Sequence, residues 1–377
     1  MAPVLHIIEP RLSSEAGHCH QLVHSLAAAA SECDITIWAG RDAADICANW
    51  QGPGRLVPWF HRRWRRLQSL WLLRRLLREP GRVLISTAGT ADLQIAHWAA
   101  AGVIAPHKLF AFVHWLGRKA GKGRRLALIA RRQPHIEILA PTTAVADFFA
   151  ACGYRSTAVP YPVDSAIDAS ALTSASAPSP ASFTHILVAG AARMDKGFDH
   201  VAQFVFEMRR RGVVLPTVVQ TSLEQRHRGD AVIEQHIERL RTARAPHVTL
   251  VDETPTRAQY LAQFEGAIAL QPYSAHDFED RVSGVTLDAL SAGCPLVVTE
   301  GTWMARMVRR FDAGIVTADL SGAGLLDAVQ RVHADDARYA ANALAASHSL
   351  TQEHSARRLL DIVLQRGEPP QPSRAAP

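Results

Sequence analysis

The chain has 377 residues, of which 48% are hydrophobic and 20% charged, and its formal net charge at pH 7 is +6. This length is sufficient for two domains with separate cores, and the composition excludes a disordered chain. No run of 18 apolar residues occurs, so we predict no membrane-spanning helix. The cysteines show no paired spacing, so we expect reduced thiols in a cytoplasmic protein; they are Cys19, Cys33, Cys47, Cys152 and Cys294.

The first half of the chain alternates buried strands with helices. Residues 4–8 begin this pattern and lack the charged region and cleavage site of a signal peptide. Strands are predicted at 4–8, 35–38, 83–86, 109–113 and 136–140, and helices at 18–30, 91–101 and 143–151. Such alternation predicts a doubly wound parallel sheet. We therefore assign residues 1–164 to a Rossmann-like α/β domain.

The loop after the first strand contains two candidate binding residues, Gly17 and His18. A glycine at this position lets the loop approach a phosphate or a second substrate closely. His20 and His24, four residues apart, lie on one helical face beside His18 and suggest a metal site. We disfavour zinc because no carboxylate partners of the histidines are evident in the sequence.

Two basic stretches give the N-terminal half its positive charge. Residues 60–82 contain eight arginines and a single acid, and residues 117–133 contain seven cations and no acid. At helical spacing, one face of the first stretch is aromatic and apolar: Phe60, Trp64, Leu67 and Trp71. Arginine-rich segments that carry tryptophan favour an anionic membrane surface. A helix with a solvated basic face is the alternative, and we disfavour nucleic acid because no nucleic-acid module accompanies the patch.

A segment rich in Ala, Ser and Pro at 165–182 is typical of a linker, and it precedes a second α/β domain at 183–350. We predict strands near 186–190, 216–220, 248–251, 267–270, 296–299 and 314–316. Helices are predicted at 322–333 and 335–347, with a terminal helix at 351–366. Residues 367–377 contain four prolines, and we expect them to be disordered.

Two aspartates flank a predicted helix start in the second domain. Asp280 lies in a loop, and Asp288 lies in the second turn of a helix that Ser283 can cap. The N–H groups at Ser283, Gly284 and Val285 would face any bound phosphate. A carboxylate on either side suits the hydroxyl groups of a sugar nucleotide. The alternative is an ordinary helix N-terminus with two solvated acids.

A second motif follows the strand at 186–190. Residues 190–197 read Gly-Ala-Ala-Arg-Met-Asp-Lys-Gly, so that Gly190 is followed by two cations, Arg193 and Lys196. At the carboxyl end of a strand in an open α/β sheet, these cations can neutralise a diphosphate. The alternative is a surface turn with solvated cations.

These two motifs resemble those of the retaining GT-B glycosyltransferases that build bacterial surface polysaccharides and lipid-linked glycans. The usual family pattern is Gly-Arg-x-x-x-x-Lys-Gly followed by Glu-x7-Glu, and here both glutamates are aspartates. The resemblance covers about 185–320 well and the N-terminal half loosely. It implies a GT-B fold, in which two Rossmann-like doubly wound parallel-sheet domains face a cleft and the terminal helix crosses back to the N-terminal domain.

The resemblance also implies residue roles. Gly190, Arg193, Lys196 and the helix after Ser283 would bind the diphosphate of a GDP- or UDP-sugar. Asp288 would bind the ribose and Asp280 the transferred sugar, with no cofactor and no metal. His114, after an apolar strand, matches a His or Asp near the reacting sugar in several relatives; a buried core histidine is the alternative.

We therefore expect a cytoplasmic retaining glycosyltransferase on the inner face of the membrane. It would move a hexose, with mannose as a first guess, to a glycan or polyprenyl-linked acceptor in surface-polysaccharide biosynthesis. A sugar-nucleotide epimerase of the same architecture and a catalytically silent relative that binds carbohydrate or membrane are the alternatives. A nicotinamide oxidoreductase is disfavoured because no Gly-x-Gly-x-x-Gly follows the first strand.

Overall fold

The computed structural model describes residues 2–13, 18–50, 52–116, 121–162, 182–223, 230–243 and 245–365. The chain forms two compact units, each built around one parallel sheet. The first unit comprises Met1–Asp164 and Glu353–Pro377, and the second comprises Ser165–Gln352.

The described part of the first unit contains a seven-stranded sheet in the order β3-β2-β1-β4-β5-β6-β7. The order reverses direction between β1 and β4, whose carboxyl ends are therefore a topological switch point. The elements are β1 Val4–Glu9, α1 His18–Ala29, β2 Asp34–Gly40, α2 Ala44–Ala48, β3 Arg55–Phe60, α3 Arg65–Leu76, β4 Arg82–Ile85, α4 Thr90–Ala99, β5 Leu109–Phe112, α5 Lys122–Arg132, β6 Glu137–Ala140, α6 Thr143–Ala151 and β7 Arg155–Ala158.

The described part of the second unit contains a six-stranded sheet in the order β10-β9-β8-β11-β12-β13, with its switch point between β8 and β11. The elements are β8 His185–Val188, α7 Phe198–Arg210, β9 Thr217–Gln220, α8 Ala231–Thr242, β10 Val248–Val251, α9 Arg257–Ala262, β11 Ala267–Gln271, α10 Ala275–Phe278, α11 Gly284–Ser291, β12 Leu296–Thr299, α12 Trp303–Phe311, β13 Gly314–Thr317, α13 Gly322–Ala334 and α14 Asp336–Glu353. A last helix, α15 Ala356–Leu364, belongs to the first unit.

The sheet of the first unit is covered on both faces, which explains its continuous apolar strands. Side chains at alternate strand positions join two separate cores: Ile7 and Leu84 enter one, and Ile8 and Val83 enter the other. The first core is completed by α1 and α15, and the second by α3, α4, α5 and α6. The predicted alternation of strands and helices is therefore correct in type.

The C-terminal helix differs from its prediction. Residues 351–353 belong to α14, and α15 begins only at Ala356. The Ser355 hydroxyl caps the new helix by accepting a hydrogen bond from the Arg357 N–H at 3.2 Å. Arg82 anchors α15 to β4, since its Nη1 donates to the Val363 carbonyl at 2.7 Å. The terminal helix is therefore present, but the predicted start at residue 351 is five residues too early, because the Ser355 cap separates α15 from α14.

The aromatic face predicted around residue 60 also needs correction. Phe60 ends β3 and is buried in the core, so it does not belong to the helix. Trp64 immediately precedes α3, and Leu67 and Trp71 lie on it; all three are exposed. The sequence analysis missed both β3 and β7, which are the outermost strands of the sheet.

Candidate functional site

The two motifs of the second unit meet at the carboxyl ends of β8 and β11, the switch point of its sheet. Gly190 follows β8, and Tyr273 follows β11. A methyl group placed on Gly190 would lie 2.5 Å from Lys196 Nζ and 3.4 Å from Val285 Cγ2. Residues from motifs almost a hundred positions apart in the sequence are therefore in contact in the fold.

The turn from Gly190 to Gly197 depends on its glycines. Both adopt positive φ angles, +87° at Gly190 and +68° at Gly197. The Gly190 N–H donates to Gln220 Oε1 at 2.7 Å. A side chain on Gly197 would overlap the carbonyl oxygen of Pro272, which is backbone and cannot rotate away. The turn therefore packs tightly on the end of β11 and holds Lys196 beside Gly190.

Arg193 is buried and forms an ion pair within the same turn. Its Nε donates to Asp195 Oδ1 at 2.8 Å, and its Nη2 pairs with Asp195 Oδ2. Arg281 Nη1 lies 3.2 Å from that same Oδ2. Burial alone raises the pKa of Asp195, but the hydrogen bond and charge of Arg193, together with the charge of Arg281, hold it below its ordinary value. One carboxylate is thus shared by two guanidinium groups.

The helix predicted after Ser283 is α11, and Ser283 caps it as expected. The Ser283 hydroxyl accepts a hydrogen bond from the Thr286 N–H at 3.3 Å. Thr286 Oγ1 donates to Gln271 Oε1 at 2.6 Å, which ties the helix start to the end of β11. Gly284 is exposed, so the first N–H groups and the positive end of the helix dipole can be approached.

Both predicted acids have arginine partners that the sequence analysis missed. Asp288 Oδ1 lies 3.1 Å from Arg257 Nη2, and the Asp288 side chain is 11% exposed. Asp280 Oδ1 lies 3.4 Å from Arg306 Nη2, and its side chain is 26% exposed. A carboxylate has about four lone-pair sites, so each acid can still accept hydroxyl groups of a ligand. The arginines fix the orientation of both carboxylates.

In the first unit, His114 lies two residues beyond β5 and is buried. Its Nε2 donates to the Ser86 carbonyl at 2.8 Å, so in the neutral ring Nε2 carries the proton. The ring also packs edge-on against Tyr161, with centroids 5.2 Å apart. His114 is therefore held at the carboxyl edge of its sheet, next to the end of β4.

The same edge holds a buried carboxyl group that the sequence analysis missed. Glu9 ends β1; its Oε2 accepts from Ser86 Oγ at 2.9 Å and from the Thr87 hydroxyl. The Arg11 N–H donates to Oε1 at 3.1 Å. Burial raises the pKa of Glu9 above its ordinary value, and the three hydrogen bonds oppose this shift. The sequence did contain a signal for Glu9, since it is an acid at the end of the first predicted strand.

The other residues predicted after the first strand are Gly17, His18, His20 and His24. Gly17 and the His18 side chain lie outside the described residues. The rings of His20 and His24 stack with centroids 6.0 Å apart, and both pack edge-on against Trp50. Within the described ranges, no three His, Cys, Asp or Glu side chains are grouped as metal ligands.

Exposed apolar side chains occur at three neighbouring helices of the first unit. Trp64 and Trp71, at α3, are 62% and 61% exposed. Trp98 on α4 and Leu128 on α5 are similarly exposed, and α4 packs against both α3 and α5. Exposed arginines accompany them: Arg62, Arg63, Arg65, Arg66, Arg124 and Arg125. Among the helices that the structure describes, none is long and apolar enough to cross a membrane.

Known structures with two such domains have the same fold as this chain. A sucrose-phosphate synthase from Thermosynechococcus elongatus matches with a TM-score of 0.68 at 15% identity, covering 96% of this chain and 98% of that chain. A glycosyltransferase from Rickettsia africae matches with a TM-score of 0.70 at 10% identity, covering 97% and 100%. HepE from Anabaena, solved with UDP-glucose, matches with a TM-score of 0.67 at 12% identity, covering 96% and 98%.

No protein-family model matches the sequence, and no curated protein sequence matches it. The structural matches show a GT-B fold of two Rossmann-like domains, as the sequence motifs predicted. At these low identities, the likeness establishes the fold alone.

Proposed function

We propose that the chain is a glycosyltransferase that binds a nucleotide-diphosphate sugar in its second unit. The observation that carries this proposal is that Lys196 and Val285, at the start of α11, both lie beside Gly190, so that a cation, a glycine turn and a helix N-terminus converge. Each of these features favours phosphate. Their position at the switch point is the usual ligand site of an open α/β sheet.

Each part of the donor has a corresponding group in the site. Arg193, Lys196 and the N–H groups of Gly284 and Val285 bind the diphosphate. Asp288, oriented by Arg257, accepts the ribose hydroxyls, and Asp280 accepts those of the transferred sugar. Rate comes mainly from stabilising negative charge on the departing diphosphate. The family resemblance favours retention of the anomeric configuration and a reaction without a metal ion.

The acceptor belongs to the first unit in this proposal. His114 is positioned at the carboxyl edge of that sheet, and Gly17 and His18 follow its first strand. A glycan or a polyprenyl-linked sugar is the acceptor class that the resemblance favours, with a hexose such as mannose transferred from a GDP- or UDP-sugar. The product would be a bacterial surface polysaccharide or its lipid-linked precursor.

The exposed tryptophans and arginines at α3, α4 and α5 support binding to an anionic membrane surface. Tryptophan side chains such as Trp64 and Trp71 insert at the headgroup level, and the surrounding arginines attract acidic lipids. A lipid-linked acceptor would be reached at this surface. This part of the proposal concerns localisation and is independent of the donor site.

Vesicle sedimentation tests the membrane surface. Vesicles with 30% anionic lipid, a composition chosen for this assay, should bind the full chain, with affinity falling as salt rises. Replacing Arg62, Arg63, Arg65 and Arg66 by Gln should weaken binding, whereas Gln at Arg209 and Arg210, which belong to the second unit, should not. Equal binding to neutral and anionic vesicles would contradict an electrostatic mode.

A thermal-shift screen tests the donor proposal. One of UDP, GDP or ADP, or a sugar ester of one of them, should raise the unfolding midpoint; at 100 times its Kd a ligand adds about 2.7 kcal/mol of stability. Failure of every nucleotide to shift the midpoint would contradict the proposal. Conversion of the bound nucleotide sugar without an acceptor would instead identify an epimerase.

A further inference from the structure

The charge balance around Lys196 points to a phosphate-binding residue outside both sequence motifs. Arg193 and Lys196 together supply two positive charges, which would match the two negative charges of a diphosphate ester. The Asp195 carboxylate, however, makes two contacts with the Arg193 guanidinium and cancels one of these charges. The pair of motif cations therefore leaves one positive charge at the site.

Arg281 restores the missing charge. Its Nη1 lies 3.2 Å from Asp195 Oδ2, the same oxygen that contacts Arg193. With this third cation, the group of Arg193, Asp195, Lys196 and Arg281 carries a net charge of two. We call these four residues the cationic cluster.

Exposure and geometry distinguish the two guanidinium groups of the cationic cluster. The Arg193 side chain is 8% exposed and contacts Asp195 through two nitrogens, an arrangement that fixes it in place. The Arg281 side chain is 23% exposed, and its Nη1 contacts Asp195 Oδ2. It also lies over the Phe278 ring, with its central carbon 4.7 Å from the ring centroid. Arg281 is therefore the more accessible guanidinium and is held flat by an aromatic ring.

We propose that Arg281 joins Arg193 and Lys196 in binding the diphosphate of the donor, and that Asp195 positions both guanidinium groups. This inference rests on the proposed function, because it names a further binding residue of the same site. A guanidinium group can contact two phosphate oxygens at once, which an ammonium group such as that of Lys196 does less well. Arg281 directly follows Asp280, so adjacent residues would bind the diphosphate and the transferred sugar.

Calorimetric titration of the full chain tests the role of Arg281. The ligands are UDP, GDP and ADP, the matching nucleosides and inorganic pyrophosphate, and the variants are Arg281→Gln and Arg281→Lys. Arg309→Gln is the matched control, since Arg309 is a comparably ion-paired arginine of the same unit, 2.5 Å from Glu300. Circular dichroism and the unliganded melting midpoint verify that each variant folds.

Arg281→Gln should weaken binding of the preferred diphosphate about 10- to 100-fold, the loss expected for one charge-assisted hydrogen bond. Arg281→Gln should weaken pyrophosphate binding by a similar factor and should change nucleoside binding little. Arg281→Lys should recover part of the lost affinity. Diphosphate affinity equal to that of Arg309→Gln, or an equal loss for nucleoside and diphosphate, would overturn the inference. Absence of diphosphate binding by the unmodified chain would instead overturn the proposed function.

Discussion

Replacing Gly197 by Ala should destabilise the second unit and disturb the donor site together. Gly197 has a φ angle of +68°, where a residue with a Cβ atom is strained. The added methyl group would also overlap the Pro272 carbonyl oxygen, and Pro272 directly follows β11. Either the turn that carries Lys196 or the end of β11 must therefore move.

Gly212 provides a matched control for the magnitude. It has a φ angle of +65°, and a methyl group there would meet no atom within 4 Å. Gly212→Ala should cost only the left-handed backbone penalty, about 1–2 kcal/mol. Gly197→Ala carries the same backbone penalty. By analogy with overpacked cores, the overlap of its methyl group with the Pro272 carbonyl should cost about 1–3 kcal/mol more. For a domain of this size each kcal/mol lowers the melting midpoint by about 2–4 °C.

Urea and thermal unfolding of both variants, each with and without nucleoside diphosphate, check this prediction. Gly197→Ala should unfold at a clearly lower midpoint than Gly212→Ala and should lose most of the ligand-induced shift. Gly212→Ala should keep the shift of the unmodified protein. Equal stability of the two variants would refute the close packing of the turn against β11.

Three further predictions concern charge. Lys196→Gln should raise the activation free energy of transfer from a saturating sugar nucleotide by about 2–4 kcal/mol with the fold retained, because a charge-assisted contact to the diphosphate is lost. Near-normal turnover of this variant would contradict the assignment of Lys196. Because burial raises the pKa of Glu9, its stabilising contribution is complete below its ordinary pKa of 4.5 and is lost as pH rises through the raised value. The unfolding free energy of the unmodified protein minus that of Glu9→Gln should therefore be larger at pH 5 than at pH 8, and a constant difference would count against a buried, titrating Glu9. Transfer should survive exhaustive EDTA treatment, since the cationic cluster and the start of α11 supply the compensating charge; activity lost to chelator and restored by Mg²⁺ or Mn²⁺ would instead place His276, Asp277 and Glu279 in the site.

The sequence was most informative where strands are buried on both faces. β5, Leu109–Phe112, is apolar and buried throughout, and its prediction required only this pattern. β3 and β7 were missed because they are edge strands: β3 contains Pro58, and β7 is polar and only partly buried. A proline is tolerated at a sheet edge, where one side of the strand has no partner.

The sequence predicted the motif residues of the candidate site but not the ion pairs that they form. Gly190, Lys196 and Val285 were grouped through the family resemblance, and in the structure the switch point brings the ends of β8 and β11, and with them these residues, together. The ion pairs of Arg257 with Asp288 and of Arg306 with Asp280 join residues 31 and 26 positions apart, with no periodic spacing to indicate them. Such pairs depend on where helices pack, which local sequence does not encode.

Hydrogen exchange with and without the nucleotide that gives the largest thermal shift tests whether the donor binds at the ends of β8 and β11. We expect slower exchange of backbone N–H groups in two segments, 190–197 and 284–288, which lie in the turn after β8 and at the start of α11. Helix α13, Gly322–Ala334, should exchange at an unchanged rate and serves as the internal control. Protection confined to other parts of the chain, with both segments unaffected by saturating nucleotide, would contradict a donor site at the ends of β8 and β11.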